Sequence, residues 1–297
     1  MTAEQAPAYQ PSYLPWWKLG EEPDPVLRVR AYEIFFITFG VLHAVHRHIM
    51  ERDRMDQEYA YMVLVWIASA IVYLRGWRVL GLAFTAGLHI YSAIVELPYT
   101  ANHRFLMAFS SLLLLCHGTS PSESRLVLGA LRWQFVILVF WTGVQKLWWN
   151  TYTQGEFLMA FAHVKASFEG PIGMLMEPAE LQHWRDLSLE ELDSGPFRST
   201  SPLLLMASNV SWVAEVFLPV GLLFKRTRTA ATVLLIMFVM GIQVAAREVI
   251  FGTLATSTAA LFLSATTQRR WMLTCLILIC VLIVLSEIGF IAGAAWN

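Results

Sequence analysis

The sequence places a lysine at the end of a long apolar run, in WTGVQKLWWN at residues 141–150. An amine held away from water gives up its proton more readily than one in solution, so a cation becomes a base that works near neutral pH. Thr142 and Gly143, one turn before Lys146, offer a small face suited to close helix packing. The competing reading is mechanical. A lysine one turn from a helix end sends its amine to the lipid headgroups, and Trp148 and Trp149 suit an interfacial belt. Spacing alone leaves both readings open.

Other polar residues stand at similar places. Asn102 and His103, in ELPYTANHRFLMAF, fall at the start of an apolar run. There they could orient a reacting oxygen or donate to an anion, or simply cap a helix. Glu215, in SNVSWVAEVFLPVGLL, is an acid within an apolar run, a costly placement that implies function or helix–helix adhesion. In HAVHRH, His43 and His46 share a helical face while His48 points elsewhere, and no carboxylate completes a ligand set. An interfacial polar cluster is therefore preferred to a metal site, for which His43 and His46 would be the candidates. His89 and Glu96 could form a polar ladder on one helix, Arg247 could pair with Glu248, and Arg132 with a lipid phosphate. Ser110, Cys116 and Ser264 carry no signature of nucleophilic catalysis, and no glycine-rich phosphate loop is present.

The elements that must position these residues follow from composition. Of 297 residues, 57% are hydrophobic and only 14% charged, against about 25% charged in a soluble domain. Too few charges remain to cover a water-facing surface. A net charge of −1 without a basic stripe excludes nucleic acid as a principal partner. Cys116, Cys275 and Cys280 lie in apolar runs without metal-like spacing, as packed thiols do. Residues 1–30 are polar and proline-rich, lack the order of a signal peptide, and read as a surface segment with Trp16 and Trp17 in the lipid interface.

Residues 31–297 read as one all-α, polytopic helical membrane domain. Nine spans are expected near 31–50, 59–76, 78–97, 104–120, 126–148, 203–224, 229–247, 249–267 and 270–292, or eight if the first or the eighth is not one. Between the fifth and sixth, residues 149–202 read as an extracytoplasmic cap with one or two interfacial helices. Basic residues at Lys18, Arg28, Arg30, Arg75, Arg78, Arg125, Lys225, Arg226, Arg228, Arg269 and Arg270 put the N-terminus in the cytoplasm. Short loops suit a bacterial inner membrane. This topology brings Lys146, His103 and the HAVHRH histidines to one outer face.

The stretch VFWTGVQKLWWNTYTQGEF resembles the signature of the vitamin K-dependent γ-carboxylase family and its HTTM relatives. There an aromatic-rich helix ends in G-[IV]-x-K-L before a W/Y…G segment. NHRFLMAF is similar to the family's Asn-His at the head of a span, and AEVFLPVGLLFKRTRTAA to its acidic helix ending in a basic turn. The resemblance covers residues 25–268. It implies that Lys146 is the base deprotonating reduced vitamin K or another lipid quinol, with His103 and Asn102 as polar helpers in the carbon-centred step. It also implies that Trp141, Thr142, Gly143 and Gln243 border the cofactor, Gln243 standing where the family has a histidine. The family's large extracytoplasmic region has no counterpart here, so the resemblance implies the membrane core alone. The 149–202 segment is then the place for a peptide or protein substrate or a membrane-protein partner.

Three function classes follow. One is a carboxylase-like lyase using a quinol. Another is a non-catalytic lipid- or quinone-binding membrane protein, or a subunit of a larger complex. The third is a haem or metal protein using His43, His46 and His103. A transporter is disfavoured, since no inverted repeat is visible.

Overall fold

Each of the nine apolar segments holds a helix among its described residues in the computed structural model, which describes Leu19 and residues 23–50, 57–95, 97, 102–118, 120–150, 152–164, 166–186, 199–246 and 249–287. The described chain is all-α. Helices α1 (Pro25–Met50), α2 (Gln57–Leu74), α3 (Arg78–Val95), α4 (Asn102–Leu115) and α5 (Pro121–Trp148) precede the cap. The described cap holds three short helices, α6 (Glu156–Val164), α7 (Ala166–Gly173) and α8 (Pro178–Asp186). Helices α9 (Pro202–Leu223), α10 (Arg228–Ala246), α11 (Val249–Ala259) and α12 (Ala265–Glu287) follow, with a 3₁₀ turn, Ala260–Phe262, after α11.

Four of these, α3, α5, α9 and α12, are long and apolar enough to cross a membrane, which points to a multi-pass membrane protein. Shorter apolar stretches occupy Val63–Leu74, Arg104–Leu115, Arg228–Gln243 and Phe251–Phe262. Helix α1 has 26 residues, but its first turns carry Arg28, Arg30 and Glu33.

Local chemistry explains the boundaries. Helix α5 starts with a capping box: Glu123 N–H donates to Ser120 Oγ and Ser120 N–H to Glu123 Oε2, both at 3.2 Å, with Pro121 in the first turn. It stops before Asn150, which takes the left-handed conformation at φ 57°.

The eighth apolar segment departs furthest from expectation. It stops at Phe262, after 11 α-helical and three 3₁₀ residues, and residues 252–262 are all buried. It is a central helix surrounded by protein. Thr256 and Thr258 return their hydroxyls to their own helix, at the Gly252 and Leu254 carbonyls, both 2.8 Å, and Thr258 Oγ1 also meets Tyr32 Oη of α1 at 3.0 Å. Two fully interior arginines hold its C-terminal end. Arg132 donates to the Leu261 and Leu19 carbonyls, and Arg28 to the Leu261 and Leu263 carbonyls. Cations there complement the negative end of the helix dipole. This corrects the reading of Arg132 as a lipid-phosphate contact. Leu19 is itself buried, so the N-terminal segment enters the core at that residue.

Candidate functional site at the α5–α9 crossing

Helices α5 and α9 pack more extensively on each other than any other described pair. They approach closely because Gly143 has no side chain: a Cβ there would stand 2.9 Å from the Glu215 Cβ and the Val216 Cγ2. The crossing sets Glu215 opposite Lys146. Lys146 Nζ donates to Glu215 Oε1 at 2.6 Å, and the side chains keep only 15% and 8% exposure. Nζ also lies 4.4 Å from the Tyr152 ring centroid. The lysine thus faces protein. Glu215 Oε2 is buried and has no hydrogen-bond partner.

The turn that roofs the lysine is anchored to α9. Ser208 Oγ donates to the Tyr152 carbonyl, Asn209 Nδ2 to the Thr153 carbonyl at 3.2 Å, and Tyr152 stacks on Phe157 with centroids 4.6 Å apart. Further along the cap, Glu180 of α8 accepts from Ser199 Oγ and the Thr200 N–H, both at 2.8 Å, just before α9 begins.

The other sequence candidates divide. Gly143 belongs to the crossing. Thr142 turns its hydroxyl back to the Leu138 carbonyl at 2.9 Å. Trp141 is exposed and lines a groove of about 380 Å³ between α4 and α5, with Phe105, Phe109, Gln134, Ile137 and Gln145. Gln243 packs against Gly252 of α11, where a Cβ would meet its Oε1 at 2.3 Å. Asn102 and His103 form the first turn of α4, but their side chains lie outside the described residues, as do those of His46 and His48, and Glu96, Arg247 and Glu248 altogether. His43 is buried and stacked on Phe39, with centroids 6.2 Å apart. His89 meets Trp66 and Phe36 edge-on, at 4.7 and 5.6 Å. Among the described residues, no group of three or more His, Cys, Asp and Glu could hold a metal ion.

At the other end of α5 stands a polar cluster that spacing did not expose. Glu33, fully buried, accepts from Arg78 Nε and Nη2 at 2.8 and 2.6 Å, and from Tyr73 Oη and Arg30 Nη1 at 2.5 Å. His117 adds a chain that looks like a Ser–His–Glu triad: Nε2 is 2.9 Å from Ser124 Oγ, and Nδ1 is 3.4 Å from Glu33 Oε2. Proton placement argues otherwise. Ser124 donates its hydroxyl proton to the Ser120 carbonyl at 2.9 Å, so it accepts from Nε2–H, and Nδ1 accepts from Arg78 Nη2 at 3.0 Å. That tautomer cannot deprotonate Ser124, which is also fully buried. The cluster is a structural junction of α1, α2, α3 and the α4–α5 turn. Its only sequence signal was the acid in AYEIFF, an unsupported charge in an apolar run.

Comparison of the chain with protein-family models, with curated proteins and with solved structures gave no match.

Proposed function

We propose that this is a multi-pass membrane protein that removes a proton from a lipid-soluble quinol at the Lys146 end of its bundle, in the manner of the membrane core of vitamin K-dependent γ-carboxylases. The observation that carries the reading is the Lys146–Glu215 ion pair, held between two helices that are each long enough to cross a membrane. A lysine that served only to anchor α5 would reach for headgroups; this one turns to a carboxylate inside the protein. Such a pair can take up or release one proton at a time beside a low-dielectric phase, where an isolated charge would be expensive. The resemblance of GVQKL and NHRF to the carboxylase motifs supplies the substrate class: reduced vitamin K or another lipid quinol, whose anion reacts with oxygen. Asn102 and His103, at the head of α4, would be the helpers, and the cap the place for a peptide or protein partner. The test is oxygen-dependent consumption of a reduced naphthoquinone by protein in lipid nanodiscs. Lys146→Ala should abolish it with helical content unchanged; an unaltered rate contradicts the proposal.

A second reading, a non-catalytic lipid- or quinone-binding protein or complex subunit, is favoured by the apolar groove between α4 and α5. It predicts a co-purifying lipid, detected by mass spectrometry, that Trp141→Ala releases and Lys146→Ala retains, with no quinol turnover in any form.

A further inference from the structure

We propose that the groove between α4 and α5 seats one acyl chain of a bilayer glycerophospholipid, whose ester carbonyl accepts from the Gln145 side-chain amide. The inference rests on the lipid-binding reading above and names its ligand. It asks nothing of Lys146 or Glu215, which belong to the α5–α9 crossing. Gln145 and Gly143, which touches α9, stand about 160° apart around α5 at 3.6 residues per turn.

The groove is cut into the surface that α5 turns to lipid. Ile137, Trp141 and Trp148 are exposed on a helix long and apolar enough to cross a membrane, and their spacing puts them on one stripe. Ile137 and Trp141 also line the groove, with Phe105 and the exposed Phe109 opposite them on α4. The medium that bathes this stripe is the one that fills the groove.

Its dimensions suit a single chain. The α5 wall runs from Gln134 to Gln145, about 16 Å at 1.5 Å per residue, and one leaflet of the hydrocarbon core is about 15 Å deep. Over that length a volume of about 380 Å³ leaves a mean section of about 23 Å². Carbon atoms in contact lie about 4 Å apart, so the section admits one chain and not two.

The two ends of the wall differ in polarity. Gln134 turns its amide into the protein: Nε2 donates to the Leu106 carbonyl at 2.9 Å, and Oε1 accepts from Ser110 Oγ at 3.4 Å. Gln145 is exposed and makes no hydrogen bond to the described residues. It lies one turn inside Trp148 and Trp149, at the depth where an aromatic belt meets headgroups and the ester carbonyls lie just below. Its N–H groups need an acceptor there, and an ester carbonyl supplies one.

The probes are dioleoylphosphatidylcholine and its diether analogue, which keeps the chains and headgroup but has no ester carbonyl. Protein is released from nanodiscs holding equal amounts of both, with a naphthoquinone bearing an isoprenoid tail, and read by native mass spectrometry. The wild type should retain one phospholipid and favour ester over ether by about fivefold, as one hydrogen bond allows. Gln145→Leu should retain one without preference, and Trp141→Ala none. Equal retention of ester and ether by the wild type overturns the inference, and this arm needs no variant to fold. So does an ester preference that survives in Gln145→Leu, or a phospholipid held as well by Trp141→Ala. The quinone retained in place of phospholipid overturns the inference and leaves the lipid- or quinone-binding reading standing; a wild type that retains neither overturns both.

Discussion

Lys146 and Glu215 stand 69 residues apart in sequence, yet each depends on the other for its charge. Removing one member of a buried ion pair strands the other, at about 3–5 kcal/mol, whereas removing both with apolar residues of similar volume is close to neutral. Lys146→Met and Glu215→Leu should therefore each lower stability, and the double variant should be more stable than either single one. Thermal melts of all three in detergent check this; additive losses would mean that the two side chains do not interact. Both residues were visible in the sequence as unusual, Lys146 for its small-residue face and Glu215 for its cost in lipid. Their pairing was not visible, because it depends on the register of two helices separated by the cap. The same limit hid Glu33, whose partners come from α1, α2 and α3.

At the scale of elements, the α5–α9 contact is set by a residue with no side chain. Gly143→Ala adds a methyl that would sit 2.9 Å from the Glu215 Cβ. The helices must part, and overpacking of this kind costs about 1–3 kcal/mol. The expected result is a lower melting temperature together with loss of quinol turnover; a variant melting and turning over like the wild type would contradict the close crossing. The α4–α5 turn makes a separate prediction about pH. Burial pushes the His117 imidazole below its ordinary range, and the Arg78 guanidinium beside it acts in the same direction, partly offset by Glu33. The unfolded chain therefore binds more protons once pH falls below about 6.5, so stability is full above that value and declines beneath it. Melting temperature should drop between about pH 7.5 and 5.5, and His117→Asn should shrink that drop. An identical pH dependence in the variant would remove His117 from the account. The helices themselves were legible from apolar run length, since each of the nine segments holds a helix among its described residues, although only four of these are long and apolar enough to cross a membrane. The burial of α11 was not, because a short apolar run reads alike whether lipid or protein surrounds it.

Across the whole molecule, polar groups gather at the two ends of α5. Ser124 and Lys146 are separated by about 33 Å of helix, at 1.5 Å per residue. One end is built for rigidity: Glu33 joins α1 to α2 and α3, while Arg78 also bonds the Leu114 and His117 carbonyls at the end of α4. Glu33→Ala takes the carboxylate from the part-buried Arg78 and leaves it only its contacts with Leu114 and His117; a loss of stability of about 3 kcal/mol is expected, read as a fall in melting temperature. If the proposed function holds, quinol turnover per folded molecule should be unchanged, because the junction lies far along α5 from the Lys146–Glu215 pair. The other end carries the ion pair, the unpartnered carboxylate oxygen and the roof made by Tyr152. Under the proposed function, this end takes a proton from a quinol. The most direct measurement is the oxygen-dependent rate of quinol consumption by wild-type and Lys146→Met protein in nanodiscs, at equal helical content. The account predicts a fall of about 10²-fold or more in the variant; equal rates in the two proteins, or no turnover by the wild type, would contradict it.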